Sequence, residues 1–139
     1  MNMKILMISP VPIIPTSTGG KVRIWQIAGG LARYHQVTLV APIYGEERCF
    51  NNTVTFPEDC QVSYQPVPCS APHAWQQLRS LTSRWPYHTA LRYRQQLAQR
   101  VQHCLQTQQY DLIYCHFIQP LPYLERCDRP IVVDQQNVD

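Results

Sequence analysis

Gly19 and Gly20 stand where backbone N–H groups could reach an anion. Before them lie an apolar segment of strand length, residues 3–9, and then a loop interrupted by prolines. After them, residues 20–34 carry apolar side chains at helical spacing. A helix N-terminus favours negative charge, because its first N–H groups have no partner within the helix and its dipole is positive there. The pattern predicts a diphosphate site at these glycines; the alternative is a loop that needs positive φ.

Lys21 and Arg23 follow the glycines and could each reach a phosphate, the arginine in bidentate fashion. The spacing of the glycines is neither the G-x-G-x-x-G of dinucleotide-binding domains nor the GK[ST] of phosphate-binding loops. The sequence therefore weighs against both of those classes of nucleotide site.

His116 is the second candidate, because it ends a predicted strand at residues 111–115. Open α/β sheets bind their ligands at the carboxyl ends of strands, where a histidine could act as a general base or bind a hydroxyl. The alternative is a surface or capping histidine. At the end of the next predicted strand, three polar residues could bind a sugar or simply cap a following helix: Asp134, Gln136 and Asn137.

These candidates must be positioned by alternating strands and helices. Five segments have the patterns of strands: residues 3–9, 37–41, 61–67, 111–115 and 130–134. Helical patterns cover residues 20–34 and 87–106, the second being the clearest, with shorter ones at 72–83 and 119–126. Such alternation predicts an α/β fold with a mainly parallel, doubly wound, Rossmann-like sheet and helices on both faces, in one domain over residues 1–139.

Two details refine this fold. Prolines in the third strand place it near the sheet edge. Gly29 and Gly30 interrupt the first helix at a cost of roughly 1 kcal/mol each, which close packing of that helix on the sheet would explain.

The charge of the chain is mild overall but unevenly distributed. Twelve Lys and Arg against nine Asp and Glu give +3, which does not imply a nucleic-acid partner. No acidic residue lies between Asp59 and Asp111, whereas five arginines fall there: Arg79, Arg84, Arg92, Arg94 and Arg100. This stretch is either a solvated helix face or a surface for phosphate or anionic lipid headgroups at a membrane.

The cysteines indicate a reducing compartment. None of the six forms a C-x-x-C motif, and cysteine and histidine do not cluster at the spacing of metal ligands. We therefore expect free thiols and no metal site, with Cys104 in a helix and Cys115 in a buried strand. The N-terminal apolar run is broken by Ser9 and Pro10 and lacks a cleavage site, so the sequence favours a cytoplasmic protein.

Four segments in order resemble the N-terminal domain of GT-B glycosyltransferases, specifically family 4 retaining enzymes such as the sugar transferases of exopolysaccharide pathways. They are MKILMISPVP, TGGKVRIWQIAGGLARYHQVTLVAP, YDLIYCHFIQPLPYL and RPIVVDQQNVD. The likeness spans nearly the whole chain and is weakest between residues 45 and 85.

The resemblance implies roles for several residues. Gly19 and Gly20 would approach the donor diphosphate, and His116 would contact the transferred sugar or lie near the reacting centre. The family often has a histidine followed by asparagine near the last strand, whereas Gln136 and Asn137 stand here. The substrates would be a nucleotide sugar and a glycan or lipid-linked acceptor, with no metal or other cofactor.

The family's C-terminal, donor-binding domain carries two glutamates eight residues apart, and this chain has no such pair. We therefore expect the chain to be the acceptor-side half, able to fold but not to turn over alone. Two other classes stay open: a non-enzymatic module that binds an anion or a partner, and a flavodoxin-like or dehydrogenase domain. The second is disfavoured by the absence of G-x-G-x-x-G and of an acidic ribose-binding residue downstream.

Overall fold

The computed structural model describes residues 1–13, 18–45, 56–70 and 74–135. Two of the predicted site residues, Gln136 and Asn137, lie outside these ranges. Within them, the chain alternates between strands and helices as the sequence predicts.

Five strands of the described residues form one parallel sheet in the order β3-β2-β1-β4-β5. Their bounds are β1 Lys4–Ile8, β2 Gln36–Ile43, β3 Val62–Pro68, β4 Leu112–His116 and β5 Ile131–Asp134. The predicted α/β, Rossmann-like class is confirmed, and so is the edge position of β3, which among the described strands pairs only with β2.

Helix α1, Gly19–Ala32, connects β1 to β2. Between β3 and β4 the described residues form three helices: α2 Ala74–Ser80, α3 Tyr87–Leu91 and α4 Gln95–Thr107. A short 3₁₀ turn at Leu121–Leu124 lies between β4 and β5.

The core has two layers, one on each face of the sheet, because side chains alternate along a strand. On one face Ile5 and Met7 of β1 pack with Ile24 of α1. On the other face Leu6 and Ile8 pack with Leu97 and Val101 of α4, among others. Residues 5–8 are completely buried, which explains why β1 reads as an unbroken apolar run rather than an alternating one.

The single helix predicted over residues 87–106 is wrong, since the chain leaves helical geometry between α3 and α4. Arg94 has extended backbone angles, φ −126° and ψ 123°, at the N-cap of α4. Its guanidinium donates to the carbonyls of Leu91 and Tyr93 at 2.9 and 3.0 Å, and its backbone N–H donates to the hydroxyl of Tyr123 at 3.0 Å. One tertiary hydrogen bond, to Tyr123, and two local bonds from the guanidinium thus replace the helical hydrogen bonds that periodicity predicts.

The paired glycines inside α1 do not serve close packing on the sheet, so that prediction is also wrong. A Cβ at Gly30 would meet no atom within 4 Å, and one at Gly29 would meet only Phe56 Cδ1, at 3.9 Å. Neither glycine has positive φ. The residue of this stretch that packs into the core is Ala28, which is completely buried.

We expect Gly30→Ala to stabilise the protein by about 0.5–1 kcal/mol, because alanine restricts the unfolded chain and meets no obstacle in the helix. Urea unfolding followed by circular dichroism would show a higher midpoint with an unchanged slope. A lower midpoint would contradict the open space found at this position.

Candidate functional site

The candidate site lies where the carboxyl ends of β1 and β4 meet. These strands are neighbours in the sheet, but β1 continues through α1 to β2 on one side, while β4 continues to β5 on the other. The segments that follow them therefore diverge and leave a crevice, the usual position of a ligand in an open α/β sheet.

The N-terminus of α1 opens into this crevice. Thr18 is the N-cap residue, and its hydroxyl accepts a hydrogen bond from the N–H of Lys21 at 3.4 Å. A pocket of about 560 Å³ lies beside it, lined by Val11, Thr18, Gly19, Gly20, Lys21, Arg23 and Phe117. The structure thus brings together both glycines and both basic residues selected from the sequence.

Neither glycine at the start of α1 has positive φ, so the need for a left-handed loop residue does not explain them. A Cβ built on Gly19 would meet no atom within 4 Å. Nothing in the described part of the fold requires glycine at this position. A ligand that approaches the backbone closely would require it.

His116 ends β4, as predicted, and its side chain is completely buried. It lies on the face of the sheet that α1 covers, together with Tyr114, whose ring centroid is 5.0 Å away. Neither ring nitrogen has a hydrogen-bond partner among the described residues. A surface or capping histidine is therefore excluded, and the imidazole has an unused donor and an unused acceptor.

Burial lowers the pKa of His116 from 6.5 to about 4, because desolvation disfavours the imidazolium. The carboxylate of Asp134, with Oδ2 4.0 Å from Nδ1, opposes this shift, and the guanidinium of Arg23 adds to it. His116 is consequently neutral at pH 7, the form in which it can accept a proton.

Arg23 reaches from α1 to the last residue of β5. Its Nη2 donates to Asp134 Oδ1 at 3.1 Å, and its Nε donates to Oδ2 at 3.3 Å. The arginine side chain is 57% exposed and the aspartate side chain 13%. Arg23, which the sequence predicts to contact a phosphate, thus already forms a bidentate ion pair at the rim of the pocket.

Phe117 is a site residue that the sequence does not reveal. Its φ of 66° places it in the left-handed region, which is unfavourable for a bulky residue. Its N–H donates to the backbone carbonyl of Asp134 at 2.9 Å, and its side chain lines the pocket. Strain of this kind is concentrated at functional sites. No sequence pattern predicts it, because positive φ is usually recognised from glycine or asparagine.

The structure does not bring the five arginines of the basic stretch onto one surface. Arg94 is buried and bonded to the hydroxyl of Tyr44 as well as to the carbonyls described above. Arg84 is paired with Glu125, and Arg100 donates to the side chain of Gln65 at 3.3 Å. The other two, Arg79 and Arg92, are exposed. Contact with a membrane through this stretch stays a prediction.

Other site classes can be assessed over the described ranges. There, no three His, Cys, Asp or Glu side chains are grouped so that they could hold a metal ion. All five cysteines in that part of the chain are free, with Cys104 and Cys115 buried as predicted. No helix among those residues has the length and apolar character needed to cross a bilayer.

The chain was also compared with known proteins. No protein-family model matches it, and no curated protein matches it.

We expect the stability of this protein to fall as pH falls from about 6.5 to about 4. The unfolded chain binds a proton on His116 in this window and the folded chain does not, so protons favour unfolding, by up to about 3 kcal/mol. His116→Leu should remove this part of the acid sensitivity and retain stability at pH 7, since it also removes two unpartnered nitrogens. Urea unfolding between pH 4 and 8 measures both effects.

His103→Gln, at an exposed position on α4, is the matched control for that experiment. If His116→Leu and His103→Gln gave the same pH dependence as the unchanged protein, His116 would not be held neutral by burial.

Proposed function

We propose that this chain is the acceptor-side domain of a retaining GT-B glycosyltransferase, which transfers a sugar from a nucleotide-sugar donor to a hydroxyl of a glycan or lipid-linked acceptor. The observation that carries the proposal is the pocket at the carboxyl ends of β1 and β4. It places the helix N-terminus at Gly19 beside Phe117, and the residue before Phe117 is the buried His116, whose ring nitrogens have no hydrogen-bond partner among the described residues.

The helix N-terminus supplies the features that a diphosphate needs. The first N–H groups of α1 have no partner within the helix, and Gly19 leaves the backbone accessible. Lys21 adds a positive charge on the pocket wall. In glycosyl transfer, negative charge develops on the departing diphosphate, so preorganised positive dipoles and side chains at this position would stabilise the transition state.

His116 is suited to the sugar side of the reaction. A neutral imidazole can accept a hydrogen bond from a hydroxyl group and donate one to an oxygen. His116 immediately precedes Phe117, and Phe117 lines the pocket. His116 therefore lies next to the place that we propose for the diphosphate. We assign His116 the catalytic or sugar-contacting role, with Gly19 and Gly20 contacting the diphosphate.

The second candidate is a non-enzymatic module that binds an anion through the same helix N-terminus. It is favoured by the two basic residues that line the pocket, Lys21 and Arg23, which could attract an anion without any reaction taking place. The two candidates differ in whether His116 takes part in a reaction, so they are separated by turnover rather than by binding.

We expect the chain to bind uridine diphosphate weakly, with a Kd far above 1 μM, a free energy weaker than about −8 kcal/mol, because the pocket forms one wall of the site. Amide resonances of residues 19–21 should shift during a nuclear magnetic resonance titration. Gly19→Ala should weaken binding about tenfold, since its methyl group occupies the space nearest the backbone.

Gly30→Ala is the matched control, being the same substitution in the same helix but away from the pocket. Equal affinities for the two variants, or shifts confined to other parts of the chain, would remove the diphosphate site from α1. Micromolar or tighter binding would instead show that the chain forms more than one wall of the site.

In an enzyme that joins this domain to a donor-binding domain, His116→Ala should lower turnover on the order of a hundredfold or more, the contribution of one positioned base or hydrogen-bonding group. His103→Ala, on the exposed side of α4, serves as the control. Turnover within a few-fold of the unchanged enzyme, with the fold intact by circular dichroism, would end the assignment. Absence of any sugar transfer by the unchanged protein would favour the binding module.

A further inference from the structure

The side chains of His116 and Asp134 are held next to each other by the sheet. They are register partners on the adjacent parallel strands β4 and β5, so both point to the face that α1 covers. Two backbone features fix this pairing: the ladder itself, and the hydrogen bond from Phe117 N–H to the carbonyl of Asp134. The carboxylate is therefore a permanent neighbour of the imidazole.

Despite this proximity, the two side chains are not hydrogen-bonded. Asp134 Oδ2 lies 4.0 Å from His116 Nδ1, beyond the usual limit of about 3.2 Å for a hydrogen bond. The same oxygen accepts the Nε–H of Arg23 at 3.3 Å, while Oδ1 accepts from Nη2. Arg23 thus occupies one acceptor position of the oxygen nearest to His116, and neither nitrogen of the buried imidazole has a hydrogen-bond partner among the described residues.

Arg23 is also the member of this trio that an incoming ligand would reach first. Its side chain is more than half exposed and lines the pocket at the start of α1, whereas Asp134 is largely buried and His116 completely so. Guanidinium groups bind phosphate and carboxylate with the same bidentate geometry, so a diphosphate in the pocket would compete with Asp134 for Arg23.

We propose that Arg23 and Asp134 couple anion binding to the orientation of His116: a phosphate in the pocket draws the guanidinium from Asp134, and the released Oδ2 then accepts a hydrogen bond from Nδ1–H of His116. The proposal rests on the diphosphate site proposed above. Asp134 acts here as a positioning residue. It fixes the imidazole tautomer with Nε2 free to accept a proton, and it does so when the anion is bound.

The electrostatics of the site agree with this coupling. The groups of the described residues that reach His116 are Arg23 from α1, Tyr114 from its own strand and Asp134 from β5. Burial makes the largest contribution to raising the pKa of Tyr114, and the Asp134 carboxylate raises it further. The tyrosine therefore stays uncharged. Withdrawing Arg23 removes the cation that lowers the pKa of His116, and bringing Asp134 closer strengthens the charge that raises it.

The test uses inorganic pyrophosphate as the anion and the ring nitrogens of His116 as the reporter. Long-range ¹H–¹⁵N correlation spectra of the histidine rings give both the pKa and the tautomer, and His116→Leu assigns the signals. With saturating pyrophosphate we expect the pKa of His116 to rise from about 4 by about 1–2 pH units. At pH 7 the tautomer protonated at Nδ1 should become dominant.

Three variants separate the coupling from simpler effects. Arg23→Gln should give the raised pKa and the Nδ1–H tautomer without pyrophosphate. In Asp134→Asn, pyrophosphate should raise the pKa of His116 by clearly less than in the unchanged protein, because only the effect of withdrawing Arg23 remains. Arg33→Gln, at the other end of α1 and 62% exposed, is the matched control and should behave as the unchanged protein.

Each contrary result has a distinct meaning. If pyrophosphate shifts the amides of residues 19–21 but leaves the His116 signals unchanged, the coupling is wrong and the diphosphate site stands. If the pKa of His116 rises equally in Asp134→Asn, the anion acts directly through its field and Asp134 has no positioning role. If no amide near Gly19 responds at all, the diphosphate site is wrong and the coupling has no ligand to drive it.

Discussion

The position of β1 at the centre of a parallel sheet is the constraint on which the rest of this structure depends. β1 is hydrogen-bonded to β2 on one side and to β4 on the other, and its apolar residues are buried on both faces. With right-handed crossovers, the connections on its two sides must cover opposite faces, which places α1 on one and α4 on the other. The same reversal of winding opens the crevice at the carboxyl end of β1.

The polar residues in that crevice are costly for folding. The folded chain is destabilised by a buried histidine whose two ring nitrogens have no hydrogen-bond partner among the described residues, and by a left-handed phenylalanine directly after it. Core packing would be better served by an apolar residue at position 116. Local violations of this kind are concentrated at functional sites, and this is the reason for placing the candidate site here.

Two arginines, Arg94 buried and Arg23 exposed, show how differently the same side chain can be used. Arg94 is enclosed by carbonyls and a tyrosine hydroxyl, and its bonds fix the start of α4. Arg23 is paired with a single carboxylate at the rim of the pocket, where solvent and ligands can compete for it. The first is a structural connection between elements, whereas the second can exchange its partner.

The alternation of apolar strands with helical patterns determined the class of fold and the order of its elements. It also placed Gly19 at a helix N-terminus and His116 at a strand end, because both features depend on local periodicity and on where it stops. Prolines in β3 placed that strand at an edge for an equally local reason, the missing N–H donor. Local periodicity did not reveal the break before α4, where the backbone N–H of Arg94 donates to the hydroxyl of Tyr123, a residue 29 positions away.

Tertiary structure alone decided which polar side chains meet. Arg23 and Asp134 are 111 residues apart, and they are joined by the strand order and by the face on which α1 packs. The burial of His116, and therefore its neutral state, follows from that packing and not from its neighbours in sequence. Periodicity can place a residue on a face or at an end of an element, but desolvation and pairing depend on what the rest of the chain brings against it.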